Sequence, residues 1–328
     1  MQIVNTAMGP DGAIYVNQGS IICRSTDGGR TWTSYPRQEG PSGTFSFKVL
    51  SNGTFIAAGP EPPTDVKPGP VGIWASGDEG RTWKLISQIE IPEKFHARWM
   101  YTLSRLPDDT LLCGVVRAAR KRDEKGNYVS GANTLVIYRS TDQGKTWSQP
   151  VKVRDWGYEG GITHLPSGKL LAAIRVQRFI HPTDTPEFLS KYQSGKMVYK
   201  IIFLADSGDQ GRTWKNVRQL TTVFGQCYGY PAALSDGTVV VVHDTRYGPG
   251  APSGRAIISH DEGATWQDEV YYVYYGIAQS GYSESVVLDD DTIVTIAGVS
   301  DYTAGNGSWE AWTGNTDLWA IRWRPVRD

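Results

Sequence analysis

Short apolar runs break off at tight turns built from Gly, Asp, Asn, Ser or Pro, and a second apolar run resumes directly after each turn. The pattern occurs six times: Pro10-Asp-Gly12-Ala-Ile-Tyr15, Ser51-Asn-Gly53-Thr-Phe-Ile56, Pro107-Asp-Asp109-Thr-Leu-Leu112, Pro166-Ser-Gly168-Lys-Leu-Leu171, Ser235-Asp-Gly237-Thr-Val-Val240 and Asp289-Asp-Asp291-Thr-Ile-Val294. Each copy reads as two β-strands joined by a two-residue hairpin turn. Six such hairpins predict six small sheets, each with an inner and an outer hairpin.

A second repeat runs out of phase with the first: Ser25-Thr-Asp27-Gly-Gly29-Arg-Thr31-Trp32, Ser76-Gly-Asp78-Glu-Gly80-Arg-Thr82-Trp83, Ser140-Thr-Asp142-Gln-Gly144-Lys-Thr146-Trp147, Ser207-Gly-Asp209-Gln-Gly211-Arg-Thr213-Trp214 and Ser259-His-Asp261-Glu-Gly263-Ala-Thr265-Trp266. An Asp that can bond the backbone ahead of it, then a Gly able to take a positive φ, is turn chemistry, and the Thr-Trp that follows is strand chemistry. The five Trp residues lie 51, 64, 67 and 52 apart, the length of one four-stranded propeller blade with variable loops. The two repeats together predict an all-β, six-bladed β-propeller of four-stranded antiparallel blades. It forms a single domain over 1–328, with blades at about 1–40, 41–95, 96–156, 157–222, 223–278 and 279–328. The last blade has no Asp-containing box and ends in the strand-like Asp317-Leu-Trp-Ala-Ile-Arg-Trp323. It closes either with the segment around Ile3 or with three strands.

Composition narrows the partners more than the fold. A net charge of −1 and a pI near 6.5 give no footprint for nucleic acid or an anionic membrane. No stretch approaches the roughly 18 apolar residues of a spanning helix, and Met1 leads directly into Gln2-Ile-Val-Asn5, so the sequence as written reads as cytoplasmic, or as secreted if a leader preceded it. Cys23, Cys113 and Cys227 are odd in number and lack metal-ligand spacing, which favours reduced thiols. Gly248-Pro-Gly250 has no following helix to cradle a phosphate, and no His, Cys, Asp or Glu cluster fits a metal, so no cofactor is expected.

Stacking the six hairpins on the turn residue (12, 53, 109, 168, 237, 291) aligns their chemistry. Nine residues earlier lie Ile3, Thr44, Met100, Glu159, Tyr228 and Tyr282; seven to nine later lie Arg117, Arg175, Asp244 and Arg246. The two arms of a hairpin are antiparallel, so both sets fall at one end of the blades. Glu159, Tyr228, Tyr282, Arg175, Asp244 and Arg246 are therefore expected at one mouth of the ring, near its axis.

The recurring box resembles the Asp-box (BNR) repeat of the sialidase, or neuraminidase, superfamily, and the likeness runs over nearly the whole chain. It implies a six-bladed propeller whose boxes sit at the periphery, and a site with a Tyr nucleophile paired to a Glu and an arginine triad clamping the sugar carboxylate. Glu159, Arg175, Arg246 and Tyr282 follow in the order the family shows. A phenol attacks well only when a carboxylate takes its proton, and it avoids the repulsion that a carboxylate nucleophile would meet beside an anionic substrate. A guanidinium fork fits a carboxylate bidentately.

Two features depart from the family. Gln2-Ile3-Val4 stands where the family has an Arg-Ile-Pro segment, and Val16-Asn-Gln-Gly19 holds no acid where the family's acid/base Asp follows. Arg98 shares strand parity with Glu159 and is the better third clamp, while Arg117 has the opposite parity to Arg175. Candidates for the acid are Glu61 and Asp65 in a Pro-rich loop, Asp244, and His181 or Asp184 in the insertion from Val176 to Met197, which reads as a lid over the mouth. His164 reads as a core residue and Tyr271–Tyr275 as outer-strand packing. The expectation is an exo-acting glycoside hydrolase on a small glycan with a terminal, acidic sugar. The alternatives are a hydrolase or lyase of the same fold on a uronic acid, rhamnose or arabinose, and a non-catalytic binding propeller.

Overall fold

The computed structural model describes residues 5–38, 40–41, 45–60, 70–122, 128–194, 197–222, 226–245, 253–267, 271–275, 278–300 and 316–326. They form six antiparallel sheets. The first holds β1 (Asn5–Met8), β2 (Ile14–Gln18), β3 (Ile21–Ser25) and β4 (Thr33–Pro36), and the second β5 (Ser46–Val49), β6 (Phe55–Pro60), β7 (Val71–Ser76) and β8 (Lys84–Ile89). The third is built from β9 (Phe95–Arg105), β10 (Leu111–Arg122), β11 (Tyr128–Ser140) and β12 (Val151–Asp155). The fourth has β13 (Gly157–His164), β14 (Leu170–Phe179), β16 (Met197–Ser207) and β17 (Lys215–Gln219), with a short helix α1 (Pro186–Tyr192) and a two-residue strand β15 (Gln193–Ser194) inserted after β14. The fifth has β18 (Gln226–Ala233), β19 (Val239–Thr245), β20 (Ser253–Ser259) and β21 (Tyr271–Tyr275), and the sixth β22 (Ala278–Val287), β23 (Ile293–Ser300) and β24 (Thr316–Trp323).

Alternation along the strands makes each sheet two-faced, and the faces of adjacent sheets pack on each other. Leu170, Ala172 and Ile174 meet Leu112 and Val116 of the third sheet, while Leu171 and Ala173 meet Val239 and Val241 of the fifth. Ile14 and Val16 pack on Val294 and Ile296, so the first and last sheets also share a core. The innermost strands β1, β5, β9, β13, β18 and β22 touch in succession, and β22 returns to β1. The fold is an all-β, six-bladed propeller. Cys113 is buried in it, with its thiol pushed up to about 12 by desolvation.

The hairpin turns are one residue longer than the sequence pattern suggests. Gly9 donates to Ala13 and Gly12 to Gly9, with equivalent bonds at Leu50, Leu106, Leu165, Leu234 and Leu288, which encloses three residues ending in a left-handed one. Such a loop needs a residue with positive φ, and Gly12, Gly53, Gly168 and Gly237 provide it without strain. Asp109 and Asp291 adopt the same conformation for another reason: each carboxylate reaches the turn of the preceding blade. Ser51 N and Oγ donate to Asp109 at 3.0 and 2.5 Å, and Ser235 N and Oγ to Asp291 at 2.9 and 2.6 Å.

Each Asp box is a closed hydrogen-bond unit. In the third, Ser140 Oγ and Thr146 N donate to Asp142 Oδ1 at 2.8 and 2.9 Å, Thr146 Oγ1 donates to Oδ2 at 2.7 Å, and Gly144 N donates to Ser140 Oγ at 2.9 Å. The Thr265 hydroxyl and N–H hold Asp261 down to about 2 in the same way. Ser140 pairs with Leu111 next to the Asp109 turn. That places the box at the turn end of the blade, away from the expected mouth.

In the sixth blade the described residues give three strands, and the chain entering at Asn5 becomes the innermost strand of the first blade. No strand pair crosses between these blades among the described residues; the seam is packed by side chains.

Candidate active site

Four successive inner strands are interrupted at one height. Gly157 pairs with Val176 and Gly160 with Ile174, so Tyr158 and Glu159 together oppose Arg175. In the fifth blade Tyr228 and Gly229 oppose His243. In the sixth, Ser280 to Tyr282 oppose Gly298, and in the third, Arg98 to Met100 oppose Val116. Every position nine before the turn in blades three to six, namely Met100, Glu159, Tyr228 and Tyr282, lies in a β-bulge. Bulges re-aim side chains and cluster beside functional sites. Gly160 shows how tight the geometry is: a Cβ there would lie 1.7 Å from the Ala173 carbonyl oxygen. Tyr228 takes φ of 59°, a left-handed conformation held inside a buried bulge.

Arg175 is fixed between the fourth and fifth blades. Its guanidinium lies 4.5 Å from the Tyr158 ring centroid and 4.9 Å from that of Tyr228, and it donates to Gln177 Oε1 at 2.8 Å and to Tyr228 Oη at 3.3 Å. Only 5% of the residue is exposed. Two aromatic faces and two fixed acceptors preorganise a cation that cannot be neutralised. Stacking the hairpins on their turn residue puts Arg175 and Tyr228 at the expected mouth but gives no sign that Tyr158 and Gln177 complete the sandwich; the aromatic at Tyr158, next to Glu159, is the one available signal.

On the fifth blade, Asp244 is wholly buried, beside Gly254 of the next strand. His243 is buried too, and desolvation, with the nearby Arg255 charge, lowers it to about 4, so the ring is neutral at pH 7. Its Nδ1 lies 2.9 Å from the Asp244 carbonyl oxygen, which makes Nδ1 the protonated nitrogen. Arg255, absent from the sequence reading, donates to Tyr272 Oη at 3.2 Å and lies 4.9 Å from that ring's centroid.

Arg117 packs into the third blade, 4.2 Å from the Phe95 ring centroid, with a buried Nε that meets no acceptor among the described residues. The insertion is pinned: Arg178 forks onto Asp184 at 2.8 and 2.6 Å and covers Phe188, and the ion pair holds the Asp184 carboxyl down to about 2. His181 is exposed in the turn, its Nδ1 2.8 Å from Thr183 Oγ1. The backbones of Arg98, Glu159 and Tyr282 lie in β9, β13 and β22; their side chains, and Arg246, Glu61 and Asp65 entirely, lie outside the described residues. Among the described residues no group of three or more His, Cys, Asp or Glu could hold a metal, and no helix is long and apolar enough to cross a membrane.

The BNR/Asp-box repeat family matches residues 138–149, the box around Asp142. The chain is a BNR/Asp-box six-bladed propeller of sialidase-like fold. Penicillium chrysogenum α-L-arabinanase, solved with arabinobiose, superposes with a TM-score of 0.65 at 16% identity over 98% of this chain and 92% of that one. A Hadza microbial sialidase superposes at 0.60, with 18% identity over 90% of this chain and 62% of that one. In sequence, the photosystem II assembly protein Ycf48 of Synechococcus sp. (strain JA-3-3Ab) is 29% identical over 169 residues, 46% of this chain and 49% of Ycf48. The chain spans about half the length of the curated relatives it matches.

Proposed function

We propose that this propeller is an exo-acting glycoside hydrolase that removes a terminal, carboxylate-bearing sugar at the bulged mouth. The observation that carries the reading is the coincidence of the bulges with Glu159 and Tyr282, on blades two apart, with the preorganised Arg175 opposite the Glu159 bulge. Tyr282 attacks the anomeric carbon while its phenolic proton passes to Glu159, and the glycosidic C–O bond breaks as an acid protonates the leaving oxygen. Water, deprotonated by the conjugate base of that acid, then releases the sugar from Tyr282, and the phenolate recovers its proton from Glu159. Arg175 and Arg246 hold the carboxylate, with Arg98 as third cation, since Arg117 packs against Phe95 within its own blade. Asp244 has no surface open to a leaving oxygen and ion-paired Asp184 is held deprotonated, and Glu61, Asp65 and exposed His181 remain as candidates for that role.

The exo mode is supported by two ribbons that continue past the bulges, β10 with β11 to the pair Arg122–Tyr128 and β14 with β16 to Phe179–Met197, raising a wall on one side of the mouth. A second reading, a neutral arabinosyl substrate, is favoured by the deep burial of Arg175 and by the arabinanase likeness, which covers most of both chains. Turnover of umbelliferyl glycosides of sialic acid, uronic acids, rhamnose and arabinose separates them. Hydrolysis of an acidic glycoside supports the first reading, and hydrolysis of arabinoside alone replaces it with the second. Sugar binding without any turnover makes the protein a binding propeller.

A further inference from the structure

The innermost strand of a propeller blade has one edge paired to its blade and another facing the axis, where backbone N–H and C=O groups meet no strand and need other partners. Here side chains provide some of them. Ser46 Oγ accepts the Leu103 N–H at 2.9 Å. Thr6 of β1 has both of its backbone groups engaged: its N–H donates to Glu284 Oε2 at 2.7 Å, and its carbonyl accepts from Lys48 Nζ at 2.6 Å. Lys48 Nζ also donates to Glu284 Oε1 at 2.6 Å. The pair thus links the inner strands of the first, second and sixth blades at the seam where no strand crosses among the described residues. Both side chains are mostly buried, at 17% and 12% exposure, on an axial cavity of about 370 Å³.

Glu284 stands two residues after Tyr282. Between them, wholly buried Ser283 restores the pairing with Ala297. The three residues of this bulge have one residue opposite them, so their placement depends on the paired residues that flank them. Of these, Glu284 also ties the strand to the first and second blades through its carboxylate.

We propose that Lys48 and Glu284 form a clasp that closes the propeller ring and, through β22, positions the bulge carrying Tyr282. The closure half stands on the geometry alone; the positioning half rests on the catalytic reading of Tyr282. Removing one member leaves a buried charge without its counterion and frees a backbone group of Thr6, whereas removing both leaves no lone charge.

The test uses the full chain with Lys48→Met, Glu284→Gln and the double variant. Each single change is expected to raise the unfolding equilibrium constant on the order of 100-fold, with the double no worse than the poorer single. Native-state hydrogen exchange should quicken at Thr6 and along β22 before it does along β18. If a single variant does not fold, Glu284→Asp, one methylene shorter, should fold and still speed exchange at Thr6 about tenfold. Additive losses, or unchanged exchange at Thr6 in Glu284→Asp, overturn the clasp. For positioning, Glu284→Asp should cut kcat about tenfold with KM nearly unchanged, and Lys48→Arg should retain kcat. Faster exchange at Thr6 with unaltered kcat overturns positioning alone. A wild-type protein that turns over no glycoside removes the catalytic reading, and with it the positioning half, while exchange still decides closure.

Discussion

Replacing Asp142 with Ala removes a carboxylate that accepts three hydrogen bonds, two from Thr146 and one from Ser140. The Thr146 donors are exposed, so water replaces most of what they lose. The Ser140 hydroxyl is buried, and it must still accept from Gly144. Charge-assisted bonds of roughly 1.5–3 kcal/mol each are therefore discounted to a net loss of about 1–2 kcal/mol. At roughly 1.5 °C per kcal/mol for a chain of this length, the melting temperature should fall by about 1.5–3 °C. Asp142→Asn keeps an acceptor for the Thr146 N–H and should lose about half as much. The damage should spread across the blade interface, because Trp147 Nε1 donates to Gly144 O at 3.1 Å and Ser87 of the second blade donates to the same carbonyl at 2.5 Å. Calorimetric melts of the two variants, together with ligand titrations, provide the check. Because the box lies at the turn end of its blade, a folded Asp142→Ala protein with sharply weakened ligand binding would refute its structural role. An unchanged melting temperature would refute the hydrogen-bond account.

Arg246→Lys should weaken acidic ligands by roughly 1.5–3 kcal/mol and neutral sugars much less, measured by titration calorimetry; equal losses make Arg246 structural. His243, lowered to about 4 by burial, takes a proton in the unfolded chain before it does in the folded one. It therefore makes stability fall as pH drops from about 6.5 to about 4, and His243→Gln should flatten that part of a pH series of denaturant melts. A slope unaltered by the substitution contradicts the buried neutral ring. Gly160→Ala should destabilise by about 3 kcal/mol or prevent folding, since the added Cβ would strike the Ala173 carbonyl. A normal melt would mean that the bulge beside Glu159 is wider than described.

The hairpins and boxes were legible because local chemistry alone fixes them: a left-handed residue closes each turn, and Asp with Ser and Thr closes each box. Asp109 and Asp291 show where local reading ends, because they stand in place of Gly to reach serines 58 and 56 residues away in sequence. The bulges were not legible either. Period-two parity places Arg98 on the face of Glu159, but both residues sit in bulges, where alternation no longer carries a side chain's direction. Lys48 and Glu284 are 236 residues apart, and nothing in either neighbourhood announces the pair. The hairpin register gives Arg175 a height along its blade, but its enclosure depends on Tyr158 from its own blade and Tyr228 from the next, which no register shows.

In the proposed mechanism Tyr282 is the covalent nucleophile and Glu159 its base. The most direct measurement is mass spectrometry of the protein after reaction with a fluorinated glycosyl substrate of the sugar it turns over. A glycosyl adduct is expected on Tyr282 in the wild-type chain and none in Tyr282→Phe, whose kcat should fall at least about 1000-fold while ligand binding persists. Full turnover by Tyr282→Phe, or an adduct on another residue, contradicts that mechanism.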